Sequence, residues 1–243
     1  MIANQVKEQM RGDSRHGSCG VGFGETIERG GATMASRHGD WLWDACGYWL
    51  RHFQGQAIPD WATDAFRNTH GINEKWIDDF LFMSKHIIIT HTPSFKYAVF
   101  EGAQGLALDQ FMGNYPYVTR SNTGMRNVID LQRQIGFELD EVVYVSRSYL
   151  TRHGEDPNFD GSTDPLPGVE DRTNLPNDWQ GTLRYQELSL WDVSARVDAD
   201  VAANNVPQES IRFAFTHADQ VSLNCPWANY LSKGETWADV IEV

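Results

Sequence analysis

Two stretches of this chain combine residue types suited to holding an anionic, hydrogen-bonding ligand. The first is Phe100 to Gly124, FEGAQGLALDQFMGNYPYVTRSNTG, where Gly102 and Gly105 flank Gln104 and a Tyr-Pro-Tyr turn leads to Thr119, Asn122 and Thr123. Glycine puts no Cβ between backbone and ligand, and a glutamine amide both donates and accepts. That order suits a strand ending in a ligand-facing loop, with Gln104 buried at its start. Each amide or hydroxyl taken singly also suits the capping of a neighbouring helix. The second stretch is His16 to Glu25, HGSCGVGFGE, with glycines at 17, 20, 22 and 24 around Ser18 and Cys19. Successive amides of such a run form a nest for a phosphate; the same glycines also make a flexible turn, and no Gly-Lys-Ser/Thr follows them. The histidines, among them His38, His52, His86 and His91, show no metal-ligand spacing, and Cys19, Cys46 and Cys225 form no C-x-x-C pair. The sequence therefore assigns no metal site and no disulfide framework.

The elements that must position these residues are legible in outline. Residues 1–12 predict a helix with Ile2, Val6 and Met10 on one face; because it starts at residue 1 without a cap, it reads as cut. Short aromatic-rich helical patterns between Trp41 and Phe82 predict a small helical cap over residues 36–85. Strands are expected at 86–92, 97–102, 141–148 and 211–219, and a helix at 125–137. Alternating strands and helices predict an α/β fold with a mostly parallel central sheet, flanking helices and ligands at the carboxyl ends of the strands. Residues 153–180, with Pro157, Pro165, Pro167 and Pro176, predict a long loop near the ligand.

Composition bounds the partners. A chain of 243 residues, 41% hydrophobic, can bury the core of a single domain spanning 1–243 with a subdomain. Its formal net charge of −13 opposes attraction to nucleic acid or to anionic lipid. No segment approaches the roughly 20 apolar residues of a membrane span, and residues 1–13 lack a signal peptide's apolar stretch. The expected compartment is the cytoplasm, or that of an infected host.

In their order and spacing, the EGAQG, YPYVT and SNT elements resemble the nucleotide-binding core of adenylosuccinate synthetases. These enzymes join a purine nucleotide to L-aspartate at the expense of a nucleoside triphosphate. The resemblance implies a partial P-loop-NTPase-like synthetase core. It implies that Gln104, Thr119 and Asn122 contact the nucleotide, and that Gly17–Gly24 holds its phosphate, with Ser18 and Cys19 where the family has two threonines and Gly20 behind them. Arg29 is the nearest match to an arginine that crosses a dimer interface, and Arg152, in Thr-Arg-x-Gly-x-x-Pro after Tyr149, to a nucleotide-loop arginine. Thr182 and Arg184 match the aspartate-binding loop, where a guanidinium fork suits a carboxylate. Tyr185 and Gln186 replace neighbouring family arginines. His217 and Asp219 match the motif that reads the base of GTP, with His217 in place of a lysine; Asp219 alone also reads as a cap. Arg120 and Gly124-Met125-Arg126 depart from the family pattern, and NYLSKGETWADVIE resembles a bacteriophage branch that uses ATP and starts from dGMP.

Several family groups are missing from these 243 residues: the G-D-E-G-K-G-K loop that holds Mg²⁺ and triphosphate, the aspartate base, the histidine acid and the closing base-reading loop. The expectation is a half-site for a purine nucleoside monophosphate (IMP or dGMP) and L-aspartate, with GTP or ATP as co-substrate. It carries no catalytic residue of its own, and it pairs as a homodimer or with a separately encoded N-terminal segment. The alternatives are a non-catalytic nucleotide-binding subunit, a regulatory partner of a complete synthetase, or an internal fragment.

Overall fold

A computed structural model describes residues 1–28, 47–67, 78–79, 81–87, 96–172, 174–176 and 178–243. They fall into two compact units, Met1–Phe95 and Lys96–Val243.

The first unit is helical. α1 (Ile2–Arg11) ends at Gly12, whose φ of 56° is open to glycine and strained for other residues. It buries Ala3 and Val6 against Trp49, from a helical stretch at 47–52, Phe53 in the turn that follows it, and Ala62 and Phe66 of α3 (Asp60–Arg67). Met10, expected on the buried face, is exposed, because the inward stripe runs through Ala3 and Val6, with Ile2 at its margin. α2 (Phe23–Glu28) follows the glycine-rich loop, and Lys7 ties it back to α1 through Glu28 at 2.6 Å.

The second unit is the α/β body. β1 (Val142–Arg147) pairs in parallel with β4 (Ile211–Thr216), β4 in parallel with β5 (Tyr230–Ser232), and β5 antiparallel with β6 (Val240–Glu242), in the spatial order β1-β4-β5-β6. Beside this mixed, mostly parallel sheet, β2 (Tyr149–Arg152) and β3 (Arg184–Glu187) form an antiparallel ribbon. Two helices, α4 (Arg126–Ile135) and α5 (Leu190–Asn204), supply Met125, Ile129, Val197 and Val201 to a core with Ile211, Val142, Tyr144 and Phe213. Alternation sends Val143 and Val145 of β1 to the opposite face, where both are exposed. α5 starts at Ser189, whose hydroxyl accepts from the Asp192 N–H at 3.2 Å, and stops at Asn205 in the left-handed region.

The strands at 141–148 and 211–219 and the helix at 125–137 match β1, β4 and α4 within a few residues. Residues 88–92 of the strand expected at 86–92 lie outside the described residues. Residues 97–102 form no strand and make no backbone pairing among the described residues, and Tyr97 and Val99 stand 75% and 95% exposed.

Candidate functional site

Loop 105–123 is built around one buried carboxylate. The Asp109 side chain accepts the N–H groups of Phe111 (2.8 Å), Met112 (3.2 Å) and Thr123 (2.7 Å), so a single side chain closes an Asx turn and joins the ends of the loop. Gly113 is required by close approach, since a Cβ there would lie 2.6 Å from the Ala107 carbonyl and 2.7 Å from that of Asp109. Thr119 is half-buried and donates its N–H to the Leu108 carbonyl at 2.8 Å. Asn122 accepts from Gln110 at 2.9 Å and donates to Asn127 at 2.8 Å, and Thr123 donates its hydroxyl to the Gly105 carbonyl at 3.1 Å. At the mouth of the loop Gln104 has a left-handed φ of 72° and is exposed, which corrects the expectation of a buried amide. No strand precedes it to cover it.

Gly124 to Arg126, a departure from the family pattern in sequence, opens α4 over a second buried carboxylate. Asp200 accepts from the Met125 N–H (3.0 Å), the Tyr144 hydroxyl (2.7 Å) and Asn204 (2.8 Å), and a Cβ at Gly124 would collide with it. Burial, then the bond to Asp200, pushes the Tyr144 phenol far above its ordinary range.

Arg152 and Arg184 face each other across the β2–β3 ribbon. Arg152 is buried and donates to the Tyr117 carbonyl at 2.6 Å; it also pairs with Asp156 at 3.1 Å, which in turn accepts from Asn114 at 2.8 Å. Its Nε has no partner among the described residues, and burial lowers its pKa, opposed by Asp156. Arg152 thus bolts the Tyr-Pro-Tyr turn to the end of β2. Arg184 donates to the Gly154 carbonyl at 2.6 Å and lies over the Phe159 ring at 5.2 Å. Thr182 is exposed nearby in sequence, after Gly181 at a φ of 74°.

At the carboxyl ends of β1 and β4, His217 has a φ of 60°, meets the Thr216 hydroxyl at 2.8 Å and sets its ring edge against Tyr149. Burial, with help from Arg147, lowers its pKa below the ordinary histidine value. Asp219 is exposed two residues on. Sequence reasoning passed over the ion pair between Arg147 and Asp171 (3.3 Å) beside it, as well as the buried Tyr149 next to Arg147 and His153 Nδ1, which has no partner among the described residues. An arginine at the end of a strand was the available signal.

In the first unit the glycine-rich loop turns through Gly17, Gly20 and Gly22, all at positive φ. Its inward amides already hold an anion: the buried Glu8 carboxylate accepts from Gly17 N–H at 3.0 Å and Ser18 N–H at 3.4 Å, and pairs with Arg11. The Ser18 hydroxyl donates to Asn4 at 2.9 Å, Gly20 is buried, and Cys19 is exposed. Arg29 lies outside the described residues. The structure therefore gathers Gln104, Thr119, Asn122, Arg152 and Arg184 along loop 105–123 and the ribbon next to it, and holds Ser18, Cys19 and Gly20 in the other unit. Among the described residues no three His, Cys, Asp or Glu side chains converge on a metal position.

A family model described as adenylosuccinate synthetase matches residues 1–165. Adenylosuccinate synthetases of Francisella philomiragia and Francisella tularensis subsp. novicida are each 45% identical to the chain over 62 residues, which is 26% of this chain and 14% of theirs. Among solved structures, a fully ligated adenylosuccinate synthetase from Plasmodium falciparum aligns with a TM-score of 0.47 at 19% identity, covering 91% of this chain and 52% of that one. Cyanophage S-2L succinoaminodeoxyadenylate synthetase, bound to dGMP and dATP, aligns with a TM-score of 0.36 at 18% identity, covering 58% of this chain and 45% of that one. The chain thus spans about half the length of the Plasmodium enzyme.

Proposed function

The chain belongs to the adenylosuccinate synthetase family, whose model matches more than half of it, and from that premise we propose that it forms the nucleotide and aspartate half-site of a purine-biosynthesis ligase. The complete reaction joins a purine nucleoside monophosphate, IMP or dGMP, to L-aspartate with hydrolysis of GTP or ATP. The observation that carries the reading is that the matched residues 1–165 contain the glycine-rich loop together with Gln104, Thr119, Asn122 and Arg152. In this reading Gln104, held exposed at the mouth of a loop locked by Asp109, meets the nucleotide beside Thr119. Asn122 and Arg152 complete the nucleotide side of the site, each held in place by the loop, Asn122 through Gln110 and Arg152 through the Tyr117 carbonyl. Thr182 and Arg184 take the aspartate carboxylates, and His217 with Asp219 faces the base of the triphosphate. Mg²⁺ in the complete enzyme neutralises charge on the triphosphate, and its ligands are not among the residues described.

Calorimetry with IMP, GMP, dGMP and GTP tests this. A monophosphate should bind more tightly than GTP, and a preference for dGMP would assign the chain to 2-aminoadenine synthesis. Equal or tighter binding of GTP overturns the reading. A second reading, a nucleotide-binding subunit without catalysis of its own, is favoured by the lack of a Gly-Lys triphosphate loop in the 243 residues. It predicts the same monophosphate affinity but no turnover when a triphosphate-binding segment is added.

A further inference from the structure

Asn4 and Glu8 lie one helical turn apart on α1 and are 6% and 1% exposed. Residues i and i+4 share a helix face, and both side chains are engaged with the glycine-rich loop. Glu8 Oε2 accepts the Gly17 N–H (3.0 Å) and the Ser18 N–H (3.4 Å), while Oε1 accepts from Arg11. Asn4 Oδ1 accepts the Ser18 hydroxyl at 2.9 Å, and Gln5 donates to the Gly20 carbonyl at 3.4 Å. A carboxylate on two successive amides is what an anion nest holds. Here the occupant is a side chain of the same protein, and its charge is balanced by Arg11.

Resting on the reading of this loop as the monophosphate site, we infer that Glu8 is its positioning residue. With the amides of 17 and 18 drawn inward, the loop can turn only its later part, from the exposed Cys19 onward, toward a ligand. A phosphate therefore meets the loop at the exposed Cys19 and Val21, since Gly20 and Gly22 are buried and the Gly20 N–H lies 3.5 Å from Ser18 Oγ, and the Ser18 hydroxyl, committed to Asn4, stays behind the site. The Glu8–Arg11 pairing also matters: an unbalanced carboxylate this close would repel the phosphate, whereas the ion pair presents no net charge.

The test uses the full chain. Glu8→Ala empties the inner half of the nest, so amide exchange at Gly17 and Ser18 should accelerate, and monophosphate affinity should fall about tenfold, the size of one lost charge-assisted hydrogen bond. Sodium formate, compared with sodium chloride at equal ionic strength, supplies the missing carboxylate. It should slow that exchange again and restore affinity in the variant, and it should leave the wild-type protein unchanged. A residue that merely stabilised α1 would show no formate rescue. If Glu8→Ala does not fold, Glu8→Gln retains one acceptor oxygen and should show intermediate protection of the same two amides. Unchanged exchange in the variants, or no response to formate in either readout, overturns the inference. If exchange and formate behave as expected but wild-type protein binds no monophosphate, the functional reading fails and the role of Glu8 in shaping the loop stands.

Discussion

Asp109 ties three backbone N–H groups with one side chain, and the 14-residue reach to Thr123 makes it the clasp of the loop that displays Gln104. Asp109→Ala should cost about 2–3 kcal/mol in urea unfolding, because buried donors are left unpaired, and nucleotide affinity should fall with it. Arg184→Leu in a reconstituted enzyme should raise the aspartate KM roughly ten- to hundredfold, as expected for a lost charge-assisted contact worth about 1.5–3 kcal/mol, with nucleotide binding nearly intact. A fall in nucleotide affinity instead would mean that Arg184 acts through its hold on the Gly154 carbonyl. His153 and His217 have lowered pKa values, both mainly through burial. Since the unfolded chain takes up their protons first, stability should fall as pH drops below 6.5 and through the folded values. A His153→Gln/His217→Gln variant should lose less over that range. At this scale the sequence revealed the ligand-suited residue types but not the buried carboxylates behind them. Nothing in the sequence marks Glu8, Asp109, Asp156 and Asp200 as buried, and only the folded backbone brings N–H groups or an arginine to them.

Among the elements, α4 was visible because Ile129 and the glycine after it supply an apolar face and a stop. α5 was not, although it is the longest described helix, since its buried face mixes Val197 and Val201 with Asp200 and Asn204. A polar residue turned inward to bind a helix start breaks the periodicity that announces a helix. β5 and β6, three residues each, are too short to carry a pattern and owe their place to the strands beside them. Two substitutions weigh these elements. Ser189→Ala should cost about 1 kcal/mol by removing the α5 cap. Ile129→Ala should cost about 2–5 kcal/mol by opening a cavity between α4, α5 and the sheet. Both are read from denaturant midpoints, and a smaller loss for Ile129 than for Ser189 would mean that the α4 contact is peripheral.

For the whole molecule, the expectation of an α/β body with a mostly parallel sheet holds, and family membership follows from the match over residues 1–165. The 243-residue chain given IMP or dGMP, L-aspartate, Mg²⁺ and GTP or ATP should release no phosphate above background, because positioning and metal together dominate phosphoryl transfer. A separately expressed N-terminal segment of a related synthetase should restore some turnover; robust activity of the chain alone would reveal catalytic groups not identified above. The pairing of Val142 with Ile211 also sets a timetable. During synthesis β1 leaves the ribosome well before the strand that completes it. At roughly 5–20 residues per second, it waits on the order of ten seconds with Val142 and Tyr144, which later pack on the core, uncovered and with the edge that will take β4 open. That interval, rather than the finished fold, is when the chain is most prone to associate with its own copies. Slower translation or higher temperature should therefore lower its soluble yield before either changes its measured stability.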